Sequence, residues 1–260
     1  MADHLYDHIG AGYDTTRKAD PEIVHRLCCH LYAPRGTKVL DVACGTGNYT
    51  EQLQRSGFEV TGVDTSVEML SAARSKSVAV NWVQADAARL PFPDSTCGGA
   101  TCVLGIHHFD SLATVFGEVS RVLEHGRFVI FTSTPAQMRT YWLNAYFPEA
   151  IEAAIRQMPS LEDVVDALTS ACFQHIGVES FLVEPALQDM FLYSGKHAPQ
   201  VYLNETVRRG ISTFARLASL REVESGCRKL QGDIASGHID QVIRAHPSIH
   251  GDYIFFVAEK

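Results

Sequence analysis

At 260 residues, with 46% hydrophobic and 20% charged side chains, the chain has the composition of a globular protein that can bury a full core, which excludes intrinsic disorder. A formal charge of -8 without a basic stripe argues against a nucleic-acid partner, because phosphate contacts need clustered Lys and Arg. The longest apolar runs, such as 128–131 and 253–258, are far shorter than the roughly 20 residues of a membrane span.

Strands and helices alternate from 37 to 132. The first strand, 37–41, leads through a glycine turn to a helix over 48–56 that Gly57 stops. A second strand covers 58–64. Thr65, three residues before Glu68, then predicts a capping box opening a helix over 66–76. A third strand runs from 80 to 84 and on to Asp86, and two prolines make 90–95 a loop. A fourth strand, 100–104, precedes Asp110, which is expected to cap a helix with apolar residues at 112, 115, 116, 119, 122 and 123. Gly126 is expected to end that helix and 127–132 to form a fifth strand. This alternation predicts a parallel α/β sheet.

Beyond Pro135 the texture changes. Residues 135–158 read as helical and aromatic, with Tyr141, Trp142, Tyr146 and Phe147. An amphipathic helix over 160–172 precedes a strand over 175–183, a long helical stretch follows Asn204, and an apolar strand closes 253–258. Residues 186–250 carry eight Lys/Arg against six Asp/Glu, a balance of +2 in an otherwise acidic chain. That contrast suits either a solvated helical cover or a wall meeting an anionic substrate.

Seven cysteines at irregular spacing, with no Cys-x-x-Cys, predict reduced thiols in a cytoplasmic protein and no metal site. Asp3, His4 and Asp7 are not what a secretory leader opens with.

The informative feature is a rhythm of carboxylates. Asp41, Asp64 and Asp86 each close a predicted strand at spacings of 23 and 22 residues, about one βα unit, so all three are expected on one sheet edge. In open α/β sheets that edge binds ligands where the strand order reverses. Gly45 and Gly47 allow a tight turn and close approach of a ligand. A dinucleotide site would show a third glycine, but position 50 is Thr, and Asp41 before the turn would repel phosphate while suiting a cationic ligand. Asp64 is placed to accept from both hydroxyls of a ribose and Asp86 from an exocyclic amine. The set asks for adenine, a ribose diol and a positive group, without phosphates.

The stretches Val39-Leu-Asp-Val-Ala-Cys-Gly-Thr-Gly47, Gly62-Val-Asp-Thr-Ser66 and Gln84-Ala-Asp-Ala87 resemble the motifs of class I S-adenosylmethionine-dependent methyltransferases, in particular the broad group that includes ubiquinone and menaquinone methyltransferases. The resemblance spans roughly 4–132. It implies a Rossmann-like, seven-stranded, mostly parallel sheet with helices on both faces and helical cover insertions. It also implies one domain, with an N-terminal lid segment (1–36), a cofactor-binding core (37–132) and substrate-side insertions (135–158 and 186–250). S-adenosylmethionine is the implied cofactor and S-adenosylhomocysteine its product, and the implied partner is a small-molecule acceptor.

By the same resemblance Gly45 and Gly47 would line the methionine moiety and Asp64 would hold the ribose, and Asp41, Ala43 and Thr65 are also expected to bind the cofactor. Met69 would pack on the adenine face, Asp86 and Ala87 would contact the adenine, and Leu104 would lie near the sulfonium. The family often has Gly at the position of Ala43, and an aromatic-Asp pair where this chain has Cys97-Gly98. Gly12-Tyr-Asp-Thr-Thr-Arg17 resembles a segment that folds over the cofactor, with Tyr13 closing the pocket and Arg17 pairing with the methionine carboxylate.

His107 and His108 follow the fourth strand and are candidate catalytic residues. A histidine pKa near neutrality would suit a general base, and a loop histidine satisfied by backbone is the structural alternative. The aromatic residues at 141–147 could wall an acceptor pocket or form the buried face of a cover helix. Two other functions stay open at this point, a nicotinamide-dependent oxidoreductase and a non-catalytic S-adenosylmethionine-binding module.

Overall fold

The computed structural model describes residues 13–260, apart from the side chain of Tyr13. The expected roles of Gly12 and of the Tyr13 ring lie outside the described residues. Two short helices, α1 (Tyr13–Thr16) and α2 (Pro21–Leu31), lead into alternating strands and helices: β1 (Lys38–Val42), α3 (Asn48–Arg55), β2 (Glu59–Asp64), α4 (Val67–Lys76), β3 (Asn81–Gln84), β4 (Cys97–Val103), α5 (Leu112–Val122) and β5 (Leu123–Thr132). Then come α6 (Pro135–Arg139), α7 (Pro148–Ile155), α8 (Leu161–Ser170), β6 (Gln174–Phe181), α9 (Glu205–Arg209), α10 (Leu220–Ser236), α11 (Ile239–Ala245) and β7 (Tyr253–Glu259).

The sheet order is β3-β2-β1-β4-β5-β7-β6, parallel from β3 to β5, with β7 antiparallel to both neighbours. This is the Rossmann-like, mostly parallel seven-stranded sheet that the motifs imply. The order reverses between β1 and β4. Both faces are covered, so the central strands read as continuous apolar runs. Alternation splits them between two cores: Val129, Phe131 and Phe255 pack on one face, and Phe128, Ile130 and Phe256 on the other.

Several local expectations shift. The cap of α4 is Ser66, whose hydroxyl accepts from Met69 N at 3.2 Å, not Thr65. Asp64 accepts from Ser66 N at 2.9 Å, holding Ser66 extended and moving the helix start on by one residue. Likewise Ser111, not Asp110, caps α5. Gly126 does not end that helix, which gives way to β5 at Leu123. It lies in the strand at φ +142, where a Cβ would stand 2.1 Å from Gly98 O, beside the irregular pairing of β4 with β5. The long helix expected after Asn204 is divided into α9, a π-helical turn (Thr213–Leu217), α10 and α11.

Candidate active site

Every turn at the carboxyl edge beside the reversal is shaped by backbone that ordinary residues avoid. After β1 the chain passes through positive φ at Ala43 (+55), Gly45 (+55) and Gly47 (+76). Leu104, just past β4, also sits at +55. Non-glycine residues at positive φ are uncommon and cluster where function needs the geometry.

Asp64 ties the two neighbouring turns together. Its Oδ2 accepts from Gly45 N at 2.8 Å while Oδ1 accepts from Ser66 N. Burial pushes this carboxyl upward and the backbone N–H groups oppose the shift. Asp41 lies deeper, 2% exposed, with Oδ2 accepting from Thr50 Oγ1 (2.5 Å) and Oδ1 from Thr101 Oγ1 (2.8 Å). Desolvation pushes it up to about 6 despite both hydroxyls.

The segment ahead of α2 is strapped across the glycine turn. Asp14 accepts from Thr46 Oγ1 at 2.7 Å and Asn48 Nδ2 at 3.1 Å and pairs with Lys76 at 2.6 Å. Arg17 grips Asp189 through Nε (2.5 Å) and Nη2 (3.2 Å), and Tyr49 donates to the same carboxylate at 3.1 Å. Asp189, 1% exposed, comes from the irregular stretch after β6. No local pattern singles it out, because its partners are 172 and 140 residues away in sequence.

These parts enclose a cavity of about 180 Å³. Of the expected cofactor residues, Arg17, Ala43, Gly45, Asp64, Met69 and Leu104 line it, and so do His107 and His108. The cover contributes Met138, Met158, Phe191, Ile211 and Leu217 to the lining, and Ser133 lies just past β5. None of these residues stands out in sequence, since short apolar and hydroxyl side chains carry no motif.

Five expected residues do not line the cavity. Asp41 is a buried strut beneath the turn. Gly47 is required by packing, because a Cβ there would stand 2.2 Å from the Trp82 ring. Thr65 is exposed and its carbonyl accepts from Gln84 Nε2. Asp86, two residues past β3 and exposed, accepts from Ala88 N at 2.8 Å, and Ala87 is buried in the core.

The histidines depart from neutral-pH titration. Burial first, then neighbouring positive charge, pushes His107 down to about 3 and His108 to about 4. Both imidazoles are therefore uncharged at neutral pH, and a pKa near neutrality is not available to either. His107 Nδ1 is buried without a hydrogen-bond partner among the described residues. The aromatic residues at 141–147 form the interior of the cover instead of the cavity wall: Trp142 and Phe147 are buried, and the Tyr141 hydroxyl bonds that of Tyr202 at 2.5 Å.

The donor set fits a ligand with a diol, a zwitterion and a positive centre. Asp64 offers a carboxylate at the end of β2, Arg17 a guanidinium, and Gly45 an open approach, since nothing lies within 4 Å of where its Cβ would be. Among the described residues no group of three or more His, Cys, Asp or Glu is arranged to hold a metal, and no helix is long and apolar enough to cross a membrane.

Comparison with known proteins agrees with this chemistry. Residues 40–131 match the methyltransferase-domain family. A demethylmenaquinone methyltransferase of Corynebacterium kroppenstedtii is 30% identical over 168 residues, 63% of this chain and 71% of that one. A solved putative methyltransferase from an antibiotic biosynthesis pathway of Anabaena variabilis superposes with a TM-score of 0.83 at 31% identity, covering 94% of this chain and 98% of that one. The fold also matches phosphoethanolamine N-methyltransferase 2 of Haemonchus contortus, solved with S-adenosylhomocysteine (TM-score 0.58, 18% identity, 92% of this chain and 52% of that one). The oxidoreductase and non-catalytic alternatives fall away: the chain belongs to the class I S-adenosylmethionine-dependent methyltransferases and is an enzyme of methyl transfer.

Proposed function

We propose that the cavity is where the methyl group reaches a small-molecule acceptor. One observation carries this reading: a single cavity runs from the glycine turn after β1 to the walls supplied by the cover, so ligands held at either end meet inside it. S-adenosylmethionine, when bound, supplies an electrophilic methyl group on a sulfonium. Asp64 would accept from the ribose hydroxyls and Met69 would pack on the adenine, with Thr65 and Asp86 exposed on the same edge beyond the cavity. Gly45 and Ala43 would flank the methionine portion and Leu104 the sulfonium. Arg17, steadied by Asp189, would face the methionine carboxylate. Asp41 and Gly47 act beneath, by shaping the turn.

What the chain contributes is mainly position. Aligning acceptor and methyl group removes much of the entropic barrier, and apolar walls keep out water as charge is lost in the transition state. His107 and His108, uncharged, act as hydrogen-bond partners that orient the acceptor. In this division of labour 1–36 is the lid segment, 37–132 the cofactor core, and 135–158 with 186–250 the acceptor cover. All seven cysteines are free, two of them buried in the core, which supports a reducing, cytoplasmic setting.

Calorimetric titration with S-adenosylhomocysteine tests the reading. Asp64→Ala removes two charge-assisted hydrogen bonds of roughly 1.5–3 kcal/mol each, so affinity should fall about 100-fold or more. A thermal melt of the same variant checks that the turn is still folded. Unchanged affinity in a folded variant refutes the assignment.

A further inference from the structure

The excess positive charge of residues 186–250 is not spread evenly once the chain is folded. Lys196 is committed to Asp252 at 2.6 Å and Arg209 pairs with Glu205. Arg208 and Lys229 donate to the carbonyls of Tyr202 and Ala145. Arg221, Arg228 and Arg244 are exposed on α10 and α11, helices that contribute nothing to the cavity lining. Arg216 is placed differently. It belongs to the π-helical turn Thr213–Leu217, in which Thr213 and Leu217 line the cavity while Arg216 is exposed. Such turns are rare and recur at functional sites.

The guanidinium therefore stands on the solvent side of a wall whose inner side is the cavity. It is near enough for its charge to act on His107 and His108, which line the same cavity. Among the described residues no carboxylate pairs with it. No Asp or Glu occurs from 206 to 221. Glu222, next along, accepts from the N–H groups of Glu149 and Ala150 at 2.7 and 3.1 Å, and Glu152 on the neighbouring α7 pairs with Arg156. The cation on the lining itself, Arg17, is held by Asp189. A guanidinium stays charged at any working pH and offers parallel N–H groups to a carboxylate or phosphate. Because Arg216 is already exposed, pairing there costs it little hydration, whereas a cationic ligand would be repelled.

Resting on the reading of the cavity as the methyl-transfer site, we infer that Arg216 is a specificity-determining residue: the acceptor carries an oxyanion, carboxylate or phosphate, that pairs with this guanidinium at the mouth while the rest of the acceptor enters the cavity. Neutral and cationic molecules of the same shape bind more weakly.

The full chain saturated with S-adenosylhomocysteine is titrated calorimetrically with three probes on one scaffold: 2-naphthoate, 2-naphthyl phosphate and the neutral 2-naphthamide. At least one anion should bind about fivefold or more tightly than the amide, an advantage that narrows as salt is raised. Whichever anion binds better tells a carboxylate acceptor from a phosphate ester. Arg216→Gln should erase the advantage and Arg216→Lys should keep part of it. Arg221→Gln, which removes the same charge from α10, should keep all of it. Amide binding as tight as that of both anions overturns the inference, and so does binding of no probe by the loaded protein. An advantage that survives Arg216→Gln, or that falls equally in Arg221→Gln, overturns the role of Arg216. Failure of S-adenosylhomocysteine itself to bind removes the site reading and the inference with it, an outcome separate from probe failure on a loaded protein.

Discussion

Asp41 offers the sharpest separation of scaffold from site. If it is a buried strut, Asp41→Asn should leave S-adenosylhomocysteine affinity within about threefold and change how stability depends on pH; this affinity limit equals about 0.6 kcal/mol. The sign follows from the direction of the shift. The folded value, about 6, lies above the ordinary 3.8, so folding favours the protonated carboxyl. The stabilisation is full below 3.8 and is lost as pH rises through 6. A shift of that size corresponds to about 3 kcal/mol in all, of which about 1.4 kcal/mol falls between pH 5 and pH 8. Asn carries no such dependence and keeps an oxygen for one threonine hydroxyl, while its amide can donate to the other. The melting temperature of the variant relative to the parent should therefore rise by roughly 3–6 °C from pH 5 to pH 8. Taking the difference between the two chains at each pH cancels the titration of every group that does not interact with residue 41. A flat difference would mean that the carboxyl is ordinarily hydrated. A tenfold or greater loss of affinity would mean that it is a ligand after all.

The histidines impose the opposite slope. Their folded values lie below the ordinary 6.5, so the stability they contribute is full above 6.5 and is lost as pH falls towards 4 and then 3; replacing both with Gln should remove about 4 kcal/mol of the parent's loss between pH 7.5 and pH 5, read by denaturant melts. Gly47→Ala combines positive φ with a Cβ 2.2 Å from the Trp82 ring and should cost about 1–3 kcal/mol, with partial recovery when Trp82 is changed to Leu. An unaltered melt would show that the ring is not held there. Asp189→Ala leaves Arg17 without this partner in a largely buried setting and should cost about 3 kcal/mol in a urea melt. The added loss on changing Arg17 as well should be smaller than the loss from Arg17→Ala alone, and strict additivity would refute the coupling.

The half of the molecule that forms the sheet was legible because its rules are local. Periodicity and glycine placed β1, α3 and β2 within a residue or two, and the reach from Gly45 to Asp64 follows from two adjacent parallel strands. Caps slipped by one residue at Ser66 and Ser111 because Thr65 and Asp110 are chemically as suitable. At Ser66 the choice was made by a carboxylate, Asp64, whose hydrogen bond no propensity encodes. The cover was less legible. Its helices, α10 apart, are short and interrupted, and what orders them is the aromatic interior around Trp142 and Tyr202, assembled from residues 60 apart. Asp189 belongs to that category: its importance exists only once the chain has folded back on Arg17 and Tyr49.

The three carboxylates illustrate what spacing can and cannot convey. Their rhythm correctly predicts one sheet edge, and it treats them as equivalent. Depth in the sheet makes them different. Asp41 ends on a strand with neighbours on both sides, β2 and β4, and is sealed from water between two threonine hydroxyls. Asp86 lies beyond the edge strand β3, where an exposed side chain turns back on its own backbone. Asp64 lies between these extremes, shielded enough for its hydrogen bonds to be strong and open enough to line the cavity. A buried carboxylate cannot reach a ligand, and an exposed one grips weakly because water competes. Of three residues in register, the one at intermediate depth is therefore the one fitted to hold a polar ligand, and strand order, not spacing, decides which residue that is.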